Sequence, residues 1–321
     1  TQDLLPNICE QAVKRLNLPR SMRWHDGEYD FIRPVHWLVA ILGSKVINLN
    51  LFGVKASNNT HGHRFHHPDK LKIAKPADYE KLLKTKGFVI ACESKRSDLI
   101  KSQIEKLLKD KDLEAKVSDK LLNEVTHLVS WPKALLCSFD EEFLKVPAVA
   151  LISAMESHQK CFAIVNKKSK KLDNHFITIS NINSKKSKSV IDGNEIVMRA
   201  RLSDAAFFYN EDCKISLDTW EDKLKNISFH TGLGSISDKT KHVGNIANKI
   251  ASKLKLDSKD KENLKLAAKY SKCDLVSDMV NEFPSLQGIM GEIYAANQKH
   301  NKEISQTIRE HYLPRFGDDV L

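Results

Sequence analysis

Near residue 212 the hydrophobic pattern of the chain changes period, and this limits its fold more than any other feature. Upstream, strand-sized apolar runs are interleaved with helical ones. Residues 35–42 and 45–52 flank Gly43-Ser44, and a two-residue loop with Gly first predicts a type II′ hairpin. Ile47, Leu49 and Leu51 alternate with Asn48 and Asn50, so one side of that strand is expected inside. A surface helix is expected over 77–86, a strand over 87–92, and helices over 95–109 and 118–128, the last stopped before Trp131-Pro132. Strands are expected at 134–139, 161–165 and 176–180. Downstream only helical spacing remains. Val243, Ile246, Ala247, Ile250 and Leu254 form one stripe over 238–254, with Asp238 as the expected N-cap. Further helical runs cover 260–280 and 302–311.

A chain of 321 residues exceeds what a single core usually supports, about 250–300 residues. The two features together predict an α+β protein of two domains, a mixed α/β domain over 1–215 and a helical domain over 216–321. No apolar run approaches the ~20 residues of a membrane helix, and the first residues lack the pattern of a secretion signal. The lack of an initiator Met and the ending at Val320-Leu321 suggest cuts inside a longer protein. Six scattered cysteines without C-x-x-C suggest a reduced, cytoplasmic, disulfide-free chain.

The formal charge of +10 favours a polyanionic partner, although lysine-rich loops such as 167–171 and 185–188 also account for it. No P-loop, G-x-G-x-x-G or G-x-S-x-G pattern occurs. Three polar clusters stand out. Thr60 to His67 holds His61, His63, Arg64 and His66, which suit a phosphate contact or local hydrogen bonding better than a zinc site, because further ligands are distant. Glu156-Ser157-His158-Gln159-Lys160 precedes an apolar strand and reads as a binding loop or a solvated turn. In the third, a Gly193-Asn194 turn leads to Arg199 and Arg201, whose guanidinium forks suit phosphate, and then to Phe207, Phe208 and Tyr209, which belong to the core or to a base-stacking surface.

In the helical part, His242 and the later Cys273-Asp274 have the order of a helical metal phosphohydrolase motif, His and then His-Asp. Cys273 stands where the second histidine belongs, and Asp278 is the nearest later acid. A site that has lost that imidazole is expected to be a relic, with no metal.

Taken in order, several motifs resemble the β subunit of heterotetrameric bacterial glycyl-tRNA synthetase. They are Met22-Arg23-Trp24, Phe31-Ile32-Arg33-Pro34-Val35-His36-Trp37, Thr60-His61-Gly62-His63-Arg64-Phe65, Glu156 to Lys160 and Gly193-Asn194-Glu195. They continue with Arg199 to Phe208, Lys272 to Val276, Glu282 to Gly291 and His311-Tyr312-Leu313-Pro314-Arg315-Phe316. Cys161 departs from the aromatic that the family often carries after Gln-Lys. The resemblance implies a B3/B4-like first domain, a degenerate HD-like second domain cut short at its C-terminal end, and an anticodon-binding module beyond Leu321. It implies an α subunit partner in an α2β2 assembly, with the ATP, the Mg and the glycine chemistry at the α active site, so that this chain carries no catalytic residue and no cofactor. Binding of tRNA(Gly) is then expected through Arg33, His63, Arg64, Lys160, Arg199 and Arg201. The competing readings are a hydrolytic domain, editing mischarged tRNA or cleaving phosphate esters, and a pure structural adaptor.

Overall fold

The structure is a computed structural model that describes residues 2–24 and 29–315. Phe316, the last residue of the final motif, lies outside the described residues. The described chain is mixed α/β, with twelve α-helices and several small sheets. It divides into two compact units drawn from discontinuous stretches. One comprises Thr1–Asp110, Ser118–Leu135 and Ile179–Ser187; the other comprises Lys111–Val117, Leu136–Thr178 and Lys188–Leu321.

In the first unit the hairpin is as expected. Ile41 pairs with Val46 and Leu42 with Lys45, and Gly43, at φ +61°, takes the left-handed corner that a side chain resists. The alternation also holds: Ile47 and Leu49 are buried with Ala56, while Asn48 and Asn50 face solvent. The strand Val54–Ser57 runs parallel to Leu38–Val39 and antiparallel to Asn50–Leu51. The helices Glu93–Leu108 and Asp119–Leu128 form where their apolar spacing requires, and Ser118 caps the second by accepting from Leu121 N at 3.3 Å.

The strand expected over 87–92 is absent. Phe88 sits at φ +53°, and the carbonyls of Ile90 and Ala91 are taken by Arg96 Nη1 at 2.6 and 3.0 Å, so this backbone is satisfied by a side chain rather than by a ladder.

The second unit holds most of a four-stranded sheet in the order Leu113–Ala115, Phe162–Asn166, Leu172–Ser180, Lys133–Ser138. Phe162, Ile164, Phe176 and Ile177 fill its core. The 26-residue helix Ser187–Asp212 buries Met198, Leu202 and Ala205, spaced four and three apart on one face. This corrects the expected turn: Gly193-Asn194 lies inside the helix. Asn194 folds its amide back to Val190 O at 2.7 Å, and Glu195 Oε1 accepts from both Ser138 N (2.7 Å) and Ser138 Oγ (2.9 Å). Residue 216 lies inside this unit, where Ser216 caps the helix Leu217–Lys223.

Two more expectations change. The helix expected at 238 is Ile236–Lys253, and its N-cap is Ser235; Asp238 is the reciprocal partner three residues on, accepting from Ser235 N at 2.9 Å. The run over 260–280 breaks into the helix Ser258–Tyr270, a tight turn Cys273–Val276 and the helix Asp278–Glu282. The restart is N-capped by Ser277, whose hydroxyl accepts from Val280 N at 3.2 Å, and is held by a buried carboxylate: Asp212 accepts from Asp278 N at 2.9 Å and Met279 N at 3.0 Å.

Candidate functional site

In the first unit the histidine cluster is organised around His63, which is 3% exposed. Its Nδ1 accepts from Phe65 N at 3.2 Å and from His66 N at 3.3 Å, so Nε2 carries the proton and donates to Asn181 O at 2.7 Å. Burial, the largest influence, holds its pKa below the ordinary value, and the ring is neutral near pH 7. Both nitrogens are consumed within the unit, so the expected phosphate contact at His63 gives way to a structural role. Asn181, which drew no attention in the sequence, is the second half of this hub. Its Oδ1 accepts from Ser130 N (2.8 Å), Ser130 Oγ (3.2 Å) and Trp131 N (3.0 Å).

What this hub presents outward is cationic and aromatic. Arg64 lies over the Phe65 ring at 5.0 Å, with Phe65 largely exposed. Trp37 is half-exposed and packs on His61 at 4.6 Å. Arg33 is exposed in the bend after the strand Asp30–Phe31 and makes no hydrogen bond or ion pair among the described residues.

In the second unit the five-residue polar cluster closes a π-helical turn, Ala154–His158, and Lys160 takes φ +54° before the sheet strand. His158 stacks on Phe283 at 5.0 Å and lies 3.9 Å from Glu282. Desolvation raises the Glu156 pKa, against the pull of Lys116.

Arg199 and Arg201 are both exposed on the long helix. Two residues apart on an α-helix, they point about 200° away from each other and cannot grip one phosphate. Arg199 holds Asp140 through two nitrogens, while Arg201 reaches Asp204 at 3.8 Å. Of the aromatic triplet, Phe207 is exposed, and Tyr209 Oη accepts from Asn297 Nδ2 at 2.9 Å.

The phosphohydrolase-like residues do not assemble. His242 is exposed. Cys273 is buried, its thiol driven further from ionisation by desolvation, with Sγ directed at Lys269 O at 3.8 Å. Asp274 is fully buried, and its Oδ2 accepts from Gly288 N (2.5 Å) and Gly291 N (3.2 Å), capping the helix Ile289–Asn297. Gly291 is required there, because a Cβ would stand 2.7 Å from Ile308 and 3.1 Å from the carboxylate. Burial pushes the Asp274 pKa up to about 6 despite these amides. Among the described residues, no three His, Cys, Asp or Glu side chains converge as metal ligands.

The family description "Glycyl-tRNA synthetase beta subunit" matches residues 1–321, the whole of the chain. The chain belongs to the glycyl-tRNA synthetase beta subunit family. The glycine–tRNA ligase beta subunit of Coxiella burnetii (strain RSA 493 / Nine Mile phase I) is 46% identical over 324 residues, covering 100% of this chain and 46% of that protein. The Hahella chejuensis (strain KCTC 2396) subunit is 46% identical over 321 residues with the same two coverages. The Pseudomonas putida (strain GB-1) subunit is 40% identical over 315 residues, covering 98% of this chain and 45% of its own length. The chain thus spans less than half the length of these curated relatives.

Proposed function

We propose that this part of the glycyl-tRNA synthetase beta subunit family polypeptide contacts tRNA and docks the α subunit of an α2β2 glycine–tRNA ligase in the cytoplasm, without performing chemistry. ATP, Mg and glycine then act at the α subunit, and this chain holds no cofactor. The observation that carries the reading is the exposed cation and rings around the His63 hub, Arg64 over the Phe65 ring and half-exposed Trp37 on His61, with Arg33 exposed four residues before Trp37. Cations supply phosphate affinity, and ring faces accept unpaired bases. The net charge of +10 favours the same partner. Lys160 and Arg201 are the contacts proposed in the second unit. Arg199 joins them only if tRNA competes with Asp140 for its guanidinium.

In this reading residues 1–215 correspond to a B3/B4-like region and residues 216–321 to an HD-like one. The helix bearing His242 and the turn bearing Cys273-Asp274 are its support, with Asp274 now serving two amides rather than a metal. A phosphohydrolase is disfavoured because His242 is exposed, the Cys273 thiol is held protonated by burial, and the Asp274 carboxylate is engaged by the Gly288 and Gly291 amides.

The test uses the full-length β subunit prepared without α. It is expected to bind tRNA(Gly) with strong salt dependence and to give no glycine-dependent ATP–pyrophosphate exchange. Exchange activity, or tRNA affinity that is insensitive to salt, overturns the reading.

A further inference from the structure

The helix Ile236–Lys253 is amphipathic, yet it is turned the wrong way for its unit. The residues it buries are small or polar: Ser237, Thr240 and Ala251. Gly244 shares that side, where an added Cβ would meet Ala268 at 3.7 Å. Its large aliphatics face out. Val243 is 46% exposed, Ile246 58%, Ile250 53% and the capping Leu254 67%. Spacings of three, four and four residues align them in one strip along the helix. The strip continues beyond the helix start, where exposed Phe229 lies with its ring 3.9 Å from Lys239 Nζ. A single exposed leucine is ordinary, whereas a contiguous aliphatic strip on a helix marks an interaction face. At 100° per residue Lys249 and Lys253 fall on one edge of it, Lys239 falls within its first turn, and the only acid in the helix, Asp238, is engaged by Ser235.

We propose that this strip is the seat of an amphipathic helix, acidic along one flank, supplied by the portion of the same family polypeptide that this sequence does not span. One observation and one general argument select that occupant. The relatives are more than twice as long as the matched region, 46% of each relative being covered, so ample chain exists to supply it. A segment on the same polypeptide also meets the strip at an effective concentration that a separate molecule does not match. The lysine edge sets the sign of its flank.

Hydroxyl-radical footprinting of the full-length β subunit, purified without α, tests this directly. Val243, Ile246, Ile250 and Leu254 are expected to be protected to the level of buried Met290, at every protein concentration. Reactivity matching the urea-unfolded chain overturns the proposal. So does protection that appears only when α is added, which assigns the strip to the other subunit, or protection that grows with concentration, which assigns it to a second copy. The double variant Ile246→Asp, Ile250→Asp is expected to open a protease site outside residues 1–321 while residues 188–321 stay resistant. If the variant unfolds throughout, the wild-type footprint alone decides.

Discussion

Asp212→Ala is expected to remove one of the principal supports of the second unit. The carboxylate is 1% exposed and accepts three hydrogen bonds, from Asp278 N at 2.9 Å, Met279 N at 3.0 Å and Tyr294 Oη at 2.6 Å. Alanine leaves Ser277 as the N-cap of the helix Asp278–Glu282 but strips the Asp278 and Met279 amides of their acceptor, a loss of about 1–2 kcal/mol. It also orphans the Tyr294 hydroxyl, which is buried, at about 1–3 kcal/mol. Part of this is returned, because burial raises the Asp212 pKa and so its charge is held at a cost. The net expectation is a loss of about 3 kcal/mol. Asp212→Asn keeps one acceptor and is expected to lose about half as much. Native-state hydrogen exchange at the amides of Asp278 and Met279, with tRNA absent, reads the change locally; urea unfolding of the same protein reads it globally. If Asp212→Ala shifts both by less than about 0.5 kcal/mol, the range of ordinary surface changes, the carboxylate is not the anchor described here.

Asn181→Ala is expected to cost the first unit about 2–3 kcal/mol in urea unfolding, since it strands Ser130 N and Trp131 N. Asp274 and His311 are expected to give opposed pH dependences. Raised from 3.8 to about 6, Asp274 contributes stability that is full below pH 4 and is lost as the pH rises to 6, up to about 3 kcal/mol. His311, lowered by burial from 6.5 to about 4, contributes stability present above pH 6.5 and lost as the pH falls toward 4. Thermal melts between pH 4 and 7 are therefore expected to steepen toward acid lability in Asp274→Asn and toward alkaline lability in His311→Gln; identical profiles in both variants and the parent refute the pairing. Arg199→Ala breaks an exposed ion pair with Asp140 and is expected to change stability by less than about 1 kcal/mol, so any loss of tRNA affinity in that variant reports contact rather than unfolding.

The sequence made visible those elements whose cause is local. The hairpin at Gly43, the Ile47/Leu49 alternation and the helices Glu93–Leu108 and Asp119–Leu128 each follow from spacing within a dozen residues. What it hid is carried by side chains that satisfy distant backbone. Arg96 donates to the carbonyl of Thr126 30 residues on, Asp212 holds the first turn of a helix 66 residues on, and Asn181 reaches the loop after Leu128 from 50 residues away. Periodicity registers apolar faces and is silent on such bonds. Periodicity also found the stripe of Val243, Ile246, Ile250 and Leu254 but could not say which way it turns. The candidate site was partly legible. Arg64 stands out among the histidines by residue type alone, whereas the inward use of His63 requires Asn181, and the opposed directions of Arg199 and Arg201 require knowing that Gly193-Asn194 does not break the helix.

The most direct test of the central claim takes the full-length β subunit together with its proposed α partner and compares it with a form carrying Arg33→Ala, Arg64→Ala and Arg201→Ala, measuring tRNA(Gly) affinity across a salt series. Weaker binding is expected, with a log–log salt slope shallower by roughly 0.7–0.9 for each phosphate contact removed. Glycine-dependent ATP–pyrophosphate exchange is expected to be unchanged. Affinity and slope equal to those of the unaltered enzyme, with the variant folded, contradict a tRNA-contacting role for these arginines.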